Sequence, residues 1–366
     1  MTKNQNVQVS VSENLLHWTS PLSFLYLAPV PFTPLQPIQF TWVKYASITL
    51  VVLCTICLII YAISQKKLTH GYELVEEYIP IGREYVIDSE ELKFEEIIGR
   101  GSFGNVYRGQ WRHTEVAIKR IHNTSQSFID ELYREAELMI ALRHPNIVTF
   151  MACTTKPDVC LVTEFISRGS LYGILHNKSI LISPEHVRRM ALDACKGMEY
   201  LHSARIIHRD LKSHNLLVDK AWAIKVADFG LSRHLEESFA KEMTACGTPC
   251  WTAPEVIRNE HYDMSADVYS FGVCLWEMMS RSDPFPGMPP MQVVLAVAQN
   301  KQRPPIDPSW HPAICNIIQS CFEDKPTLRP TFGELILKLH SLDLPPAPPN
   351  PIILNLDERK STDIAF

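Results

Sequence analysis

The chain has 366 residues, enough for one large domain or two smaller ones. Its formal net charge of -5 leaves no basic excess that would favour nucleic acid, so we expect no nucleic acid partner. The ten cysteines are scattered and none precedes Cys54, which argues against a disulfide-stabilised scaffold.

The first segment, residues 1–44, is polar at its start and then rich in proline and aromatic residues. Its prolines forbid a continuous helix. The segment is also short for a folded ligand-binding domain. We therefore expect residues 1–44 to form a short extended arm outside the cytosol.

Residues 45–63 form an uncharged run that is long enough to span a membrane as a helix. A buried core helix is the alternative, but this run is uniformly apolar rather than striped. It also begins too far from Met1 for a cleaved signal peptide. Lys66 and Lys67 follow the run, against Lys44 alone before it, so the positive-inside tendency places the C-terminal part in the cytosol. The sequence predicts a single-pass membrane protein whose N-terminus is outside.

A charged juxtamembrane linker, residues 64–91, leads into a predicted folded domain at residues 92–342. A strand-like run is followed by IGRGSFGNV, in which Gly99, Gly101 and Gly104 form GxGxxG. Glycine lets backbone approach a phosphate closely. A dinucleotide-binding turn is the alternative reading of this motif.

The residues after the third glycine favour a different structure. Residues 105–110 and 114–121 are strand-like, and no helical pattern follows the motif. These two runs and the run at 94–98 favour a β-hairpin over phosphates rather than a dinucleotide-binding turn. Two further strand-like runs at 147–153 and 159–165 complete a predicted five-stranded sheet.

Lys119 ends the sequence VAIK in the middle of a predicted buried strand, where a charge is costly unless it is paired. Ser127 is a candidate N-cap for a helix that runs to about Arg143. Glu135 occupies a position in its apolar stripe where an apolar residue is expected. We predict that Glu135 points inward and pairs with Lys119; an exposed surface glutamate is the alternative.

The second half of the domain is predicted to be helical. Helices are expected after Ser170, after the Ser183–Pro184 pair and from Ser265 onward, and three more near residues 291–299, 311–321 and 332–342. Asp267 lies inside an apolar helix, and we expect backbone of the loop around residue 210 to satisfy it. Arg329 is predicted to pair with Glu255. The proline-rich tail, residues 343–366, is expected to be extended.

The central stretch at residues 207–230 reads IHRDLKSHNLLVDKAWAIKVADFG. Asp210, Asn215 and Asp228 are separated by two short strand-like runs, which predict a hairpin with a loop at either end. Such a frame can place one carboxylate beside a substrate hydroxyl. It can also place a carboxylate and an amide oxygen on a hard cation such as Mg²⁺.

HRDLKSHN and DFG at this spacing resemble the catalytic and metal-binding loops of protein kinases. The runs YVIDSEELKFEEIIGRGSFGNVYRGQWRHTEVAIKRI and GTPCWTAPEVIRNEHYDMSADVYSFGVCLWEM are typical of the tyrosine-kinase-like group. The chain thus resembles receptor-like transmembrane serine/threonine kinases of that group over roughly residues 92–342. The resemblance implies an α+β fold of two lobes, a small β-rich N-lobe and a large helical C-lobe, after a single transmembrane helix.

The same resemblance implies the chemical roles of four residues. Lys119 would hold the α- and β-phosphates of ATP, and Glu135 would orient it. Asp210 would accept the proton of the substrate hydroxyl, and Lys212 would neutralise the transferring phosphoryl group. Positioning and charge neutralisation dominate such chemistry.

The resemblance also implies two cofactors, ATP and Mg²⁺. Asn215 and Asp228 would hold the metal ion, and the backbone of residues 163–166 would meet adenine. The residues expected to contact the nucleotide are Ile98, Gly99, Arg100, Gly101, Ser102, Phe103, Gly104, Asn105, Val106, Ala117, Lys119, Thr163, Glu164 and Ile166.

The predicted function is therefore a membrane-anchored serine/threonine kinase with four expected partners: ATP, protein substrates with Ser/Thr acceptors, the lipid membrane, and a second copy for trans-autophosphorylation. A dual-specificity or tyrosine kinase is one alternative. A catalytically weak receptor-like scaffold is another, although such relatives usually lose the lysine, an aspartate or a loop glycine, all of which are present. A ligand-sensing receptor is the third, but residues 1–44 offer no evident binding domain.

Overall fold

The computed structural model describes residues 81–101, 104–122, 126–155, 157–234 and 248–353. The predicted arm, the predicted membrane segment and most of the predicted linker lie outside these residues, as do Ser102, Phe103 and the end of the tail. Among the described residues, no helix is both long and apolar enough to cross a membrane.

The N-lobe is built on a five-stranded antiparallel sheet, as the sequence predicted, with strand order β1-β2-β3-β5-β4. Its strands are β1 Leu92–Arg100, β2 Gly104–Trp111, β3 Thr114–Ile121, β4 Phe150–Thr154 and β5 Cys160–Glu164. The β2–β3 register sets Val106 opposite Lys119, so the glycine-rich hairpin lies beside the lysine strand.

The fourth strand begins at Phe150, three residues later than the strand-like run predicted. Ile147 instead forms a parallel bridge with Val226, and the Val148 N–H donates to the Val226 carbonyl at 2.9 Å. The apolar run is therefore divided between two partners. Its first part joins the N-lobe to the strand that precedes Asp228.

Helix α1, Gln126–Ala141, packs against this sheet through the buried side chains of Leu132, Ala136 and Met139. It begins one residue before Ser127, so Ser127 lies inside the first turn rather than at the predicted N-cap position. The remainder of the helix follows the predicted stripe, and Glu135 lies on its buried face.

Residues 81–91 of the predicted linker pack against the sheet edge. Val86 bridges to Cys153 in parallel, and the Ile87 N–H donates to the Cys153 carbonyl at 2.9 Å. The ring of Tyr85 lies 5.7 Å from that of Phe150, and Ile81 is buried. This part of the chain thus adds to the N-lobe core.

The C-lobe is helical, as expected, and its caps follow the sequence. Ser170 accepts a hydrogen bond from the Gly173 N–H, and Ser183 forms a capping box with His186. The helices are α2 Leu171–His176, α3 Pro184–Ser203, α4 Pro254–Ile257, α5 Ser265–Ser280, α6 Pro290–Ala298, α7 Pro312–Cys321 and α8 Phe332–His340.

In the part of the C-lobe that the structure describes, six short strands form three antiparallel pairs. The pairs are β6 Ile180–Leu181 with β11 Ile352–Ile353, β7 Ile206–Ile207 with β10 Arg233–His234, and β8 Leu216–Val218 with β9 Ile224–Val226. The β8–β9 pair is the hairpin predicted between Asn215 and Asp228. It fixes the two ends of the central stretch relative to each other.

The described part of the proline-rich tail lies on the C-lobe instead of projecting away from it. Besides the β6–β11 pairing, the Pro348 carbonyl lies 2.8 Å from His186 Nε2. The Pro349 carbonyl accepts from Arg189 at 2.9 Å. Proline carbonyls suit this role because an extended proline run leaves them unpaired within the segment.

The predicted pair of Arg329 and Glu255 is present and buried. The guanidinium donates to both carboxylate oxygens at 2.6 and 2.8 Å, and both side chains are at most 2% exposed. Arg329 also donates to the carbonyls of Ser265 and Glu323 at 3.0 and 2.9 Å. The pair thus joins α4, the start of α5 and the loop before α8.

Replacing Arg329 with alanine is expected to destabilise the domain by about 3–5 kcal/mol, because Glu255 would stay buried without a partner. Urea unfolding measures this change. Lys196→Ala is the control, since Lys196 is 43% exposed and pairs with Asp193 on the surface of α3. It should cost at most about 1 kcal/mol. Equal losses in the two variants would contradict the assignment.

Candidate active site

The loop at residues 208–215, termed the catalytic loop here, is held by one buried aspartate. Asp267 accepts hydrogen bonds from the backbone N–H groups of His208 and Arg209, both at 2.9 Å, and lies 2.9 Å from His202 Nε2. Arg209 has a φ of 70°, a strained conformation for this residue type that these bonds hold. The predicted backbone partners of Asp267 are confirmed.

The electrostatics of Asp267 fit this role. Burial raises the pKa of the carboxyl, but the hydrogen bond and charge of His202 outweigh that effect and bring it below its usual value. Asp267 therefore stays ionised and accepts from every surrounding donor. The loop before Asp210 is thereby fixed on a rigid helix.

Asp210 lies among donors at the front of this loop. Lys212 Nζ donates to its Oδ2 at 2.8 Å, and Asn215 Nδ2 lies 3.1 Å from the same oxygen. The Thr248 hydroxyl donates to Asp210 Oδ1 at 3.3 Å and accepts from Lys212 Nζ at 3.0 Å. Thr248 thus contacts both residues. It closes one side of the site around the carboxylate.

Lys119, Glu135 and Asp228 form a charge cluster between the lobes. Lys119 Nζ contacts both Glu135 carboxylate oxygens, at 3.0 and 2.9 Å, and Asp228 Oδ1 at 3.2 Å. The predicted inward orientation of Glu135 and its pairing with Lys119 are confirmed. The cluster joins β3, α1 and the loop after β9.

The pKa values within this cluster move in different directions. Burial alone would lower the pKa of Lys119, but the carboxylates of Asp228 and Glu135 together raise it above its usual value. The Lys119 ammonium holds the pKa of Asp228 below its ordinary range. Burial raises the pKa of Glu135, and the charge of Lys119 offsets this increase only in part. Asp228 is therefore the carboxylate that stays charged most readily.

Asn215 and Asp228 each present an oxygen that suits a hard cation. Asn215 uses its Nδ2 on the Asp210 carbonyl at 2.8 Å, while no described residue donates to its Oδ1. Asp228 is 48% exposed, and its Oδ2 makes no ion pair or hydrogen bond with the described residues. The described chain has no group of three or more His, Cys, Asp or Glu side chains placed to hold a metal. Mg²⁺ fits this pair because it takes its remaining ligands from phosphates and water.

The charged groups line one cleft of about 390 Å³ between the lobes. The predicted nucleotide residues that line it are Ile98, Gly101, Gly104, Val106, Ala117, Lys119, Thr163, Glu164 and Ile166. Gly99, Arg100 and Asn105 lie in the β1–β2 hairpin without lining the cleft. Leu217 of β8 also lines the cleft and was not among the predicted residues, although the alternation of side chains along its strand indicates such a position.

The side chain of Glu164 is bonded to other parts of the fold, which leaves only its backbone for a ligand in the cleft. Its Oε1 accepts from Lys225 Nζ and from the Thr149 N–H, both at 2.8 Å. The carboxylate is therefore occupied within the fold. Among the described residues none accepts a hydrogen bond from the Ile166 N–H, so the connector retains a free donor at the cleft.

Helix α5 carries a second buried carboxyl besides Asp267, that of Glu277, which was not among the predicted residues. Ser213 donates to its Oε1 at 2.9 Å and Trp251 Nε1 to its Oε2 at 2.7 Å, and the residue is fully buried. It thereby ties the catalytic loop to the segment after Thr248. The signal was a charge inside an apolar helix, the same one that identified Asp267. Burial raises the pKa of Glu277 to about 8.

This raised pKa gives a pH-dependent stability. The folded state holds the Glu277 proton more tightly than the unfolded chain, whose carboxyl titrates near 4.5. The contribution of this bound proton to the free energy of unfolding is complete below about pH 4.5 and is lost as the pH rises toward 8. Urea unfolding between pH 5 and 8 should show wild type losing more stability with pH than Glu277→Gln. Parallel curves would disprove the shift.

The two lobes, the cleft between them and its lysine and carboxylates define a protein kinase domain. Residues 92–339 match the family described as protein tyrosine and serine/threonine kinase. The match covers well over half of the chain, and the chain belongs to this family. The predicted kinase fold is thereby confirmed, while the predicted transmembrane receptor character stays a prediction.

Curated relatives agree with the family. The chain is 48% identical over 262 residues to the probable serine/threonine-protein kinase drkB of Dictyostelium discoideum, and the match covers 70% of this chain and 38% of drkB. It is 46% identical over 262 residues to drkA of that organism, covering 70% and 40%. For the serine/threonine-protein kinase CTR1 of Arabidopsis thaliana the identity is 44% over 268 residues, covering 71% and 32%. The chain thus matches less than half the length of each relative.

Proposed function

We propose that the chain is a serine/threonine protein kinase that transfers the γ-phosphoryl group of ATP to hydroxyl groups of proteins in signalling. The observation that carries this proposal is the complete charge cluster of Lys119, Glu135 and Asp228 in one cleft with Asp210 and its donors. A scaffold without activity would have no need to keep every member of this set in place. The serine/threonine kinases among its relatives support the same conclusion.

Each side chain has a distinct task in this proposal. Asp210 accepts a hydrogen bond from the acceptor hydroxyl, orients it and receives its proton. Lys212, 2.8 Å from Asp210, supplies positive charge to the transferring phosphoryl group. Lys119 binds the α- and β-phosphates from its position between two carboxylates. Preorganised charge of this kind is the principal source of catalysis in phosphoryl transfer.

The cofactor residues follow from the same geometry. Asn215 Oδ1 and Asp228 would hold Mg²⁺, which when bound neutralises charge on the phosphates. The free Ile166 N–H and the backbone of Glu164 would bind adenine. Gly101 and Gly104, which line the cleft, would cover the phosphates.

Substituting Asp210 with asparagine should reduce phosphate incorporation by about 10²–10⁴-fold, because the base is lost. ATP affinity should stay within a few-fold, since Asp210 does not hold the nucleotide. Incorporation of labelled phosphate and binding of a fluorescent nucleotide measure the two effects. Lys119→Met should also suppress turnover, while Asp307→Asn, in a C-lobe loop outside the cleft, is the unaffected control. Near-normal incorporation by the Asp210 variant would contradict the proposal.

The acceptor is proposed to be serine or threonine. Thr248 bonds both Asp210 and Lys212, which narrows the site around the base, so a short side chain must bring its backbone close. Reacting atoms have to lie about 3–3.5 Å apart, which leaves little tolerance for a longer ring. A tyrosine or dual-specificity kinase is the alternative, because the family description names tyrosine kinases as well as serine/threonine kinases. Phosphoamino-acid analysis decides, and predominant phosphotyrosine would refute the assignment.

Membrane anchoring forms the finer part of the proposal and is supported by the sequence alone. Residues 45–63 carry no charge, and Lys66 and Lys67 follow them. The kinase domain would then lie in the cytosol with its ATP. Protease added to sealed vesicles should remove an N-terminal tag and leave a C-terminal tag protected. Loss of the C-terminal tag before the vesicles are opened would disprove this topology.

Self-association for trans-autophosphorylation completes the proposal, because an anchored kinase meets its own copies at high local concentration. Wild type mixed with a size-tagged Asp210→Asn variant tests it directly. Label on the inactive copy would demonstrate transfer between molecules. Label confined to the wild type would limit autophosphorylation to transfer within one chain.

A further inference from the structure

Three aromatic rings pack against one another, and one of them, that of His214, lines the cleft. The ring of Tyr172 lies between His214, 3.9 Å away with 20° between the planes, and His176, 4.0 Å away with 30°. These three residues are called the ring column below. Tyr172 and His176 are one turn apart on α2, and His176 Nδ1 lies 3.0 Å from the Tyr172 carbonyl. The positions of the three rings are therefore held by their mutual contacts and by the backbone of α2.

One end of the ring column belongs to the catalytic loop. His214 is adjacent to Asn215 and lines the same cleft as Asp210 and Lys212. Its ring also meets Trp251 edge-on at 5.7 Å. An acceptor segment whose hydroxyl reaches Asp210 has to leave the site past the residues that line it, and the His214 end of the ring column is among them.

The other end of the ring column carries an exposed carboxylate. Asp283 Oδ1 accepts from the Tyr172 hydroxyl at 3.2 Å and lies 3.4 Å from His176 Nε2. Its side chain is 54% exposed, and no residue in the described ranges bonds its second oxygen, Oδ2. The carboxylate is thus oriented by the column while half of it faces outward.

The cation nearest to Asp283 along the chain is already engaged elsewhere. Arg281 donates to the carbonyls of Leu175, Ile180 and Asn177 at 3.0, 2.7 and 2.6 Å. Those bonds direct its guanidinium to the end of α2 and to β6. Within the described residues, no lysine or arginine forms an ion pair with Asp283.

We propose that Asp283 and the ring column form a specificity site that binds a lysine or arginine side chain of the acceptor protein. This inference rests on the proposed kinase function and names its substrate class. A cationic head would pair with Asp283 Oδ2, and its aliphatic stem would pack along the aromatic faces, where cations are also attracted. Arginine suits the site better than lysine because its planar head both stacks and pairs.

The length of the ring column sets where the basic residue lies. Two ring spacings of 3.9 and 4.0 Å separate His214 from His176. An extended peptide advances about 3.3 Å per residue. The basic residue is therefore expected roughly two to four positions from the acceptor hydroxyl.

A degenerate Ser/Thr peptide library, phosphorylated by the full-length chain with Mg²⁺ and ATP, tests the proposal. Wild type should prefer arginine or lysine over alanine by about tenfold in kcat/KM at one of those positions. The Asp283→Asn substitution keeps the size of the side chain and an oxygen that can accept the hydrogen bond of the Tyr172 hydroxyl, but it removes the negative charge. It should reduce the preference to below about twofold while leaving the rate on alanine-substituted peptides and the KM for ATP unchanged.

Two further variants sharpen this comparison. Asp283→Lys should reverse the preference toward aspartate or glutamate. Asp158→Asn is the matched control, because Asp158 is 33% exposed and pairs with Arg120 on the N-lobe. It should keep the preference of wild type. A wild type without basic preference, or an Asp283→Asn variant that retains it, overturns the proposal.

A binding measurement separates this inference from the proposed function. A fluorescent arginine-containing peptide with alanine at the acceptor position cannot be phosphorylated, and its anisotropy reports affinity alone. Weaker binding to Asp283→Asn than to wild type supports the specificity site even if no peptide is phosphorylated. If peptides are phosphorylated but neither assay responds to the substitution, the kinase function stands and the specificity site is refuted.

Discussion

The active-site cleft depends on two carboxyl groups buried inside helix α5. Asp267 holds backbone of the catalytic loop at its start, and Glu277 holds the loop further along together with the segment after Thr248. The two residues are about 15 Å apart along the helix. Buried polar groups are tolerable when each oxygen has a donor. Because α5 lies in the apolar core, it gives the loop two fixed points of attachment.

The N-lobe adds its part through one lysine. Lys119 of β3 meets a carboxylate from α1 and another from the loop after β9, so three distant parts of the chain must come together for the cluster to exist. One ammonium between two carboxylates leaves the cluster with negative charge. That charge favours a hard cation at the cleft and opposes phosphate unless such a cation is present. Movement of α1 away from the sheet would remove Glu135 from the cluster, and the preference for a cation and the repulsion of phosphate would both weaken.

The sequence predicted most of the site because its charges stand out against apolar patterns. Glu135 and Asp267 each lie within an apolar helical pattern, and each has the predicted partner. The pairing of Arg329 with Glu255 was predicted from the sequence KPTLRP instead, and it is also present. Glu277 offered the same signal and was missed, because its partners come from two separate segments.

Other features required long-range contacts that no local pattern contains. The run at 147–153 reads as one strand, yet Ile147 and Val148 pair with β9 because that edge is available only in the folded chain. The helix that was expected to start after an N-cap at Ser127 begins at Gln126 instead, a difference of a size that is common at helix ends. The packing of residues 81–91 on the sheet edge and the docking of the tail likewise depend on surfaces that only the tertiary fold creates.

Where the tail packs on the C-lobe, its proline residues supply hydrogen-bond acceptors and helix α3 supplies the donors. Prolines 348 and 349 have no N–H, so they can only accept, and the donors must come from His186 and Arg189 at the start of α3. His186 also completes the cap of that helix, so the helix start and the chain end share one side chain. A chain cut before the tail would leave these donors to water and uncover the edge of β6, where Leu181 is already 45% exposed. Such an edge can recruit a strand from another molecule, so the described part of the tail also protects against unwanted association.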